Sequence, residues 1–192
     1  MQICWDNRLI GDVGFKQKIT VDGTDFLCHP PNDGSSRRSW YSHKFKKPAV
    51  RYDLGVSIQS GDIVWVNGPW RAGSYPDISI FRLGGLRDKL LENNERAEAD
   101  LGYRGEPMAI DLPDEGPKSM ILAKKRARMR HETCNKRFKN WGCMKQEFRH
   151  GLSLHRDCMY VITVLTQLAI RNGEPLFDAA FYIETSTSNH EE

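Results

Sequence analysis

No stretch of the sequence approaches the roughly 18 apolar residues that a membrane-spanning helix needs. The opening MQICWDNRLIGDVG sets Asp6 and Asp12 among its few apolar residues, so it lacks the basic start and apolar run of a secretory signal. Cysteine is sparse: Cys4, Cys28, Cys134, Cys143 and Cys158 are an odd number, scattered, without C-x-x-C spacing. That argues against a disulfide framework or a zinc knuckle and for reduced intracellular thiols. Adjacent Cys28 and His29 do not make a nucleophilic dyad merely by being neighbours. No internal repeat and no shift in composition marks a second domain, and neither charge sign dominates, the net being +3. What is present is 192 residues, 39% hydrophobic and 10% aromatic, enough for one domain with a core.

The distribution of charge says more than its sum. Residues 118–150 carry a dense run of lysines and arginines, with Glu132 and Glu147 as the only acids. Such a run suits a phosphate backbone, or it is the solvated face of a helix. Upstream, QKITVDG (17–23) alternates and stops at Gly23, which predicts a strand with Asp22 near its end. AVRYDLGVSI (49–58) and DIVWVNG (62–68), joined by three residues, predict an antiparallel hairpin in a largely buried sheet.

A helix is expected over 77–92, capped by Asp77 and weakened or kinked at Gly84–Gly85. A short strand over 95–102 closes at Gly102, and 106–119 reads as a loop holding one short strand. Residues 120–140 place Met120, Ala123, Ala127, His131, Cys134, Phe138 and Trp141 on one helical stripe. A last helix over about 153–172, with Met159, Ile162, Leu165 and Ala169 inward, stops at Gly173. The polar ETSTSNHEE (184–192) reads as disordered. The order of elements predicts an α/β domain, a mixed sheet with helices packed on it.

Acidic residues recur beside turns or on a helix in four segments: VDGTD (21–25), GSYPD (73–77), ADLGYRG (99–105) and RHETCNKRF (130–138). Two or three carboxylates gathered from distant segments are what a pair of Mg²⁺ ions requires, since hard divalent cations take oxygen ligands. Asp22 and Asp100 fall at strand ends, where crevices of α/β sheets open. Glu132 lies on the basic helix beside Lys125, Arg128, Asn135, Lys136 and Lys139, where it is either a metal ligand or an i,i+4 partner of Arg128 and Lys136. Asp25, three residues from Asp22 on a strand, faces the other way.

The strings VDGTDF, WYSHKFKKPAVRYDLGVSIQSGDIVWVNGPWRAGSYPDISIF, ADLGYRGEP, RHETCNKRFKNWG and LTQLAIRNGEPLF together resemble the DDE-superfamily endonuclease domains of transposons, with the PIF/Harbinger-like and related eukaryotic groups most similar. The likeness covers about residues 15–177, leaving 1–14 as a lead-in and 178–192 as a polar tail. It implies an RNase H-like fold with a five-stranded mixed sheet flanked by helices. It further implies Mg²⁺- or Mn²⁺-dependent cleavage and strand transfer of DNA in the nucleus, with no membrane. Asp22 corresponds to the family's first acid, Asp100 to its second and Glu132 to its third. Asp77 matches an acid sometimes counted with the metal ligands, and its competing role is the helix cap. Lys125, Arg128, Lys136 and Lys139 would then meet DNA phosphates, contacts that position without reading sequence.

His43 and His131 match motif positions near such a site, whereas His29, His150, His155 and His190 are expected at the surface or in satisfied polar contacts. Trp70 is read as packing, with stacking on a base as its other role. About 21 residues precede Asp22, too few for the helix-turn-helix that complete transposases of this type carry. The chain is then expected to be a fragment, an inactive relic, or a protein that depends on a separate DNA-binding partner or a homo-oligomer for targeting. The competing functional class is a domesticated module that has kept the fold for DNA binding or protein interaction without catalysis.

Overall fold

Period-two alternation in the first half of the chain and period-3.6 stripes in the second put the strands first and the long helices last. The computed structural model describes residues 3–32 and 34–182. Strand β1 spans Gln17–Leu27, β2 Tyr41–Ser42, β3 Lys47–Ser57 and β4 Ile63–Arg71. Helices α1 (Asp77–Leu83) and α2 (Leu86–Glu92) follow, then β5 (Arg96–Glu98) and β6 (Ile110–Asp111). Helices α3 (Lys118–Phe138), α4 (Gly142–Lys145) and α5 (Leu152–Arg171) complete the chain. The sheet has six strands, in the order β2-β3-β1-β5-β6 with β4 also on β3. β1 pairs antiparallel with β3 and parallel with β5, which makes the sheet mixed.

This is the expected RNase H-like α/β arrangement. The count exceeds the expected five because the two-residue β2 pairs with the start of β3 at Lys47 and Pro48, beyond the reach of β4. The hairpin of β3 and β4 forms as expected. β1, however, does not stop at Gly23. It continues to Leu27, with Asp22 opposite Leu54 and Gly23 opposite Asp53. A glycine flanked by a paired strand loses little, because the ladder hydrogen bonds are backbone ones. Asp22 is therefore in mid-strand, and it reaches a crevice because β5, on its other side, ends at Glu98.

Alternation then assigns the two faces of β1. Thr20, Asp22, Thr24 and Phe26 face α3 and α5, and Ile19, Val21 and Asp25 face α1 and α2. One core cluster joins Phe26, Tyr52, Leu54 and Val56 of the sheet to Cys134, Phe138, Met159 and Ile162 of the helices. The other joins Ile19, Val21 and Ala97 to Phe81, Leu86, Leu90 and Tyr103. Two buried apolar layers thus hold the sheet between helices.

The Gly84–Gly85 pair separates α1 from α2 outright, since Gly85 takes φ of 90°, a value that favours glycine. On α3 the stripe from Ala127 to Phe138 is buried, but Trp141 lies past the helix end and is exposed. On α5 Met159 and Ile162 face inward as expected, but the rest of the inward face differs. Leu165 is exposed, and Thr163, Thr166 and Gln167 are buried instead. Gln167 is held by Ile63 N–H and Asp62, so its burial is compensated by hydrogen bonds. His155 is fully buried, its Nδ1 2.8 Å from the Tyr52 hydroxyl and its ring stacked on that tyrosine.

The lead-in and the tail also pack. Arg8 is buried against Glu95 at 2.7 Å, while Ala179 and Phe181 join Ile58 and Ala127 in a third cluster. The stretch 184–192 and His190 lie outside the described residues. Among those described, no helix is long and apolar enough to cross a membrane.

Phe138→Ala should lower unfolding free energy by about 3–5 kcal/mol in urea denaturation, as expected for emptying a phenyl site in a packed core. Leu122→Ala on the exposed side of the same helix should cost under about 1 kcal/mol. Equal effects would contradict the assigned faces.

Candidate active site

Beyond the end of β5 the sheet face under α3 opens into a cleft of about 270 Å³. Its walls include Thr20, Asp22, Asp100, Lys125, Arg128, His131 and Glu132. Asp22 comes from β1 and Asp100 from the turn after β5. Glu132 comes from α3, one position round from its buried stripe. Three acids separated by 78 and 32 positions in sequence are therefore brought to one cleft by strand order and helix packing. Asp100 is not the end of a strand as expected. β5 stops two residues earlier, and Asp100 caps a short 3₁₀ turn, its Oδ1 accepting from Gly102 N–H at 2.7 Å.

Asp77 is placed beside them. It is the first residue of α1, whose N-cap is Pro76, and no side chain caps that end. The expected capping role is thus absent, and the carboxylate reaches the sheet instead. It occupies the place that a side chain on Gly23 would take, so a Cβ there would overlap Asp77 Oδ1. It also lies near Gly102, in the Asp100 turn. Arg51 Nη1 approaches Asp77 Oδ1 at 3.1 Å, yet that buried oxygen has no hydrogen bond. Asp25, on the face opposite Asp22, is taken by Arg51 at 2.6 Å and by Ser42 Oγ.

The electrostatics follow from this crowding. Burial pushes the Asp22 carboxyl up to about 7, and the charges of Asp77, Glu132 and Asp100 push the same way, against Lys44. Asp77 is also raised, by burial first and by Asp100 and Asp25, in opposition to Arg51. Asn135 Nδ2 donates to Asp22 Oδ2 at 2.9 Å, the one direct support that Asp22 receives from α3. The donors are all oxygen, the type a hard divalent cation takes. Even so, among the described residues no group of three or more His, Cys, Asp or Glu side chains is assembled to hold a metal ion. The acids share a cleft without converging.

The basic helix divides into two sets. Lys124, Arg126, Arg130 and Arg137 bind backbone carbonyls of the chain itself, Arg130 reaching Ile58 O at 2.9 Å. Lys125 and Arg128 instead line the cleft. Lys139 sits over the Phe26 and Phe45 rings, close enough to Asp22, Asp25 and Glu132 to feel their charge. Lys136 is exposed on α3 and does not line the cleft. Among the described residues Glu132 makes no ion pair with Arg128 or Lys136, so the i,i+4 alternative is not realised.

His131 lines the cleft, its Nδ1 2.7 Å from Thr20 Oγ1. Burial pushes it down to about 4, so the ring is neutral at pH 7. His43 is exposed, edge-on to Tyr41, and is not drawn into the cleft. Trp70 lies on β4 and packs against Tyr75. Lys44, Arg51, Asp53 and Tyr103 all bear on the acids and escaped the sequence reading. The signal lay inside HKFKKPAVRYD and ADLGY, but only pairing of β1 with β3 shows which of those residues lie near Asp22.

The family model for the DDE superfamily endonuclease matches residues 21–169, which include Asp22, Asp77, Asp100 and Glu132. No curated protein and no solved structure matches the chain.

Because an unfolded aspartate titrates near 4 and Asp22 in the fold near 7, protonation favours the folded form. That contribution is complete below about pH 4 and is lost as pH rises through about 7. Asp22→Asn should therefore stabilise the metal-free protein, with a gain in Tm that widens from pH 4 to pH 8. A gain that is constant with pH would contradict the crowding. Gly23→Ala should destabilise less in an Asp77→Ala background than alone, with a coupling of about 1 kcal/mol or more in a double-mutant cycle. Strict additivity would mean that the two groups do not meet.

Proposed function

The chain belongs to the DDE superfamily endonuclease family, and from that premise we propose that it is a transposase-derived nuclease acting on DNA phosphodiesters with Mg²⁺ or Mn²⁺. The observation that carries this is the meeting of Asp22, Asp100 and Glu132 with Lys125 and Arg128 in one cleft. The residues fit divalent ions on a physical test. Burial and neighbouring acids raise the proton affinity of Asp22 and Asp77, and Asp77 Oδ1 is buried without a hydrogen bond. Asp22 itself is met by an amide, Asn135, and makes no ion pair among the described residues.

In this reading Asp22, Asp77, Asp100 and Glu132 are the ligand set. Asn135 orients Asp22, and Arg51 holds Asp77 against the sheet. Two ions bound there would supply Lewis acidity, activating a water or a DNA 3′-hydroxyl and stabilising the leaving oxygen of an in-line displacement. Lys125 and Arg128 on the α3 wall, with Lys139 and Lys136 further along the helix, would take phosphate oxygens and set the strand across the acids. Neutral His131, tied to Thr20, would keep the wall beside Glu132 rigid without adding charge. Targeting would come from a separate DNA-binding protein or from a homo-oligomer, and the site of action would be the nucleus.

A second reading is a non-catalytic module that binds DNA or protein, favoured by the fact that no three-ligand group is assembled among the described residues. The test is a Mn²⁺ titration of the purified protein, followed by nicking of supercoiled DNA. The nuclease reading expects a metal-dependent rise in Tm that Asp22→Ala and Asp100→Ala abolish. It also expects nicking reduced at least about 100-fold by either change or by Glu132→Ala. DNA binding with no metal response, equal in wild type and Asp22→Ala, would establish the module instead.

A further inference from the structure

A buried acid lies outside the proposed ligand set. Asp53, in the middle of β3, is 1% exposed, and one of its carboxylate oxygens has no hydrogen bond. Its other oxygen, Oδ1, accepts from the hydroxyl of Tyr103 at 2.9 Å. The Trp65 indole also bears on the carboxyl, yet a half-satisfied carboxyl in a core is costly, and an apolar side chain of similar size would pack there at less cost. Burial pushes this carboxyl up to about 8. What the structure obtains in return is a fixed point for Tyr103.

Tyr103 closes the 3₁₀ turn that Asp100 begins, and its N–H bonds Asp100 O at 3.2 Å. Among residues 100–105 it alone is buried, the other five being exposed. The turn carrying Asp100 is therefore tied to the protein interior through one side chain, whose ring packs edge-on against Phe81 and whose hydroxyl ends on Asp53. The path is unusual. β1 lies between β3 and β5 in the sheet, so Tyr103 must pass over β1 to reach Asp53. The register partner of Asp53 on β1 is Gly23, where the strand presents no side chain. Asp77 fills the same gap from α1.

We infer that Asp53 and Tyr103 form a strut across β1 that positions Asp100 against Asp22, making both positioning residues of the proposed metal site. The inference rests on the nuclease reading for its purpose, though not for its geometry. The hydrogen bond needs only an acceptor at position 53, and the turn needs only its hydroxyl tether.

The experiment compares Tyr103→Phe, Asp53→Asn and Asp53→Leu with wild type. Phe keeps the ring on Phe81 and removes the tether, Asn keeps an acceptor oxygen, and Leu removes it at similar volume. Hydrogen exchange of the amides of residues 101–105 in metal-free protein reads the tether directly. It should speed up at least tenfold in Tyr103→Phe and Asp53→Leu and stay near wild type in Asp53→Asn, with the β1 and β3 amides protected throughout. Mn²⁺ affinity should fall about 10–100-fold in the first two variants, the scale expected for groups that orient ligands.

Unchanged exchange of the turn in Tyr103→Phe, or an Asp53→Asn variant as loose as Asp53→Leu, would overturn the strut. If wild type binds no Mn²⁺, the nuclease reading falls, and the exchange result still decides the strut. Should Tyr103→Phe not fold, the Asn and Leu variants carry the same comparison.

Discussion

Holding several carboxylates around the middle of one central strand is the constraint on which the rest of this structure depends. β1 carries Asp22 on one face, while its glycine neighbour leaves a bare spot on the other, and α1 brings Asp77 into that spot. Like charges so close raise one another's proton affinity, and burial adds to the effect. A protein keeps such an arrangement only if its surroundings over-determine it. Here the surroundings are two apolar layers, Phe26, Leu54 and Phe138 on one face and Val21, Phe81 and Leu86 on the other. They bind the sheet tightly enough that local repulsion at its centre does not open it.

The cations are deployed to match. Arg51 serves both Asp25 and Asp77 on the α1 face, leaving Asp22 to an amide, Asn135, which orients it without neutralising it. On α3, half of the basic residues are spent on backbone carbonyls at Ile58, Leu112, Glu174, Pro175, Phe177 and Asp178. They are structural pins that anchor the helix and the segment after α5. Of those that remain, Lys125 and Arg128 stand on the cleft side. The helix thus brings Glu132 and phosphate-seeking side chains to the acids as one rigid body.

Much of this was legible in the sequence. The fold class, the β3–β4 hairpin, the break at Gly84–Gly85 and the core stripe of α3 follow from periodicity and glycine placement, which are local properties. The resemblance carried by VDGTDF, ADLGYRG and RHETCN singled out Asp22, Asp100 and Glu132. Readings that failed did so where a local signal was overruled by pairing. Gly23 looks like a strand terminator, but β3 pairs straight past it. Asp77 looks like a helix cap until the sheet offers its carboxylate a gap. On α5 a run of apolar residues predicts one face inward, whereas the hydrogen bonds available to Gln167 decide for another.

By itself the sequence determined the alphabet of the site, which acids and cations exist, on which kind of element, and that they are oxygen donors and phosphate partners. The tertiary structure alone decided what they do to one another. It set Asp77 against Gly23, divided the basic helix into pins and cleft residues, and led Tyr103 over β1 to Asp53. Tyr103 and Asp53 are 50 positions apart and Arg130 reaches Ile58 across 72, and the energies of such contacts depend on burial and distance. Neither quantity exists until strand order and register have been chosen, and that choice is made by the whole core at once.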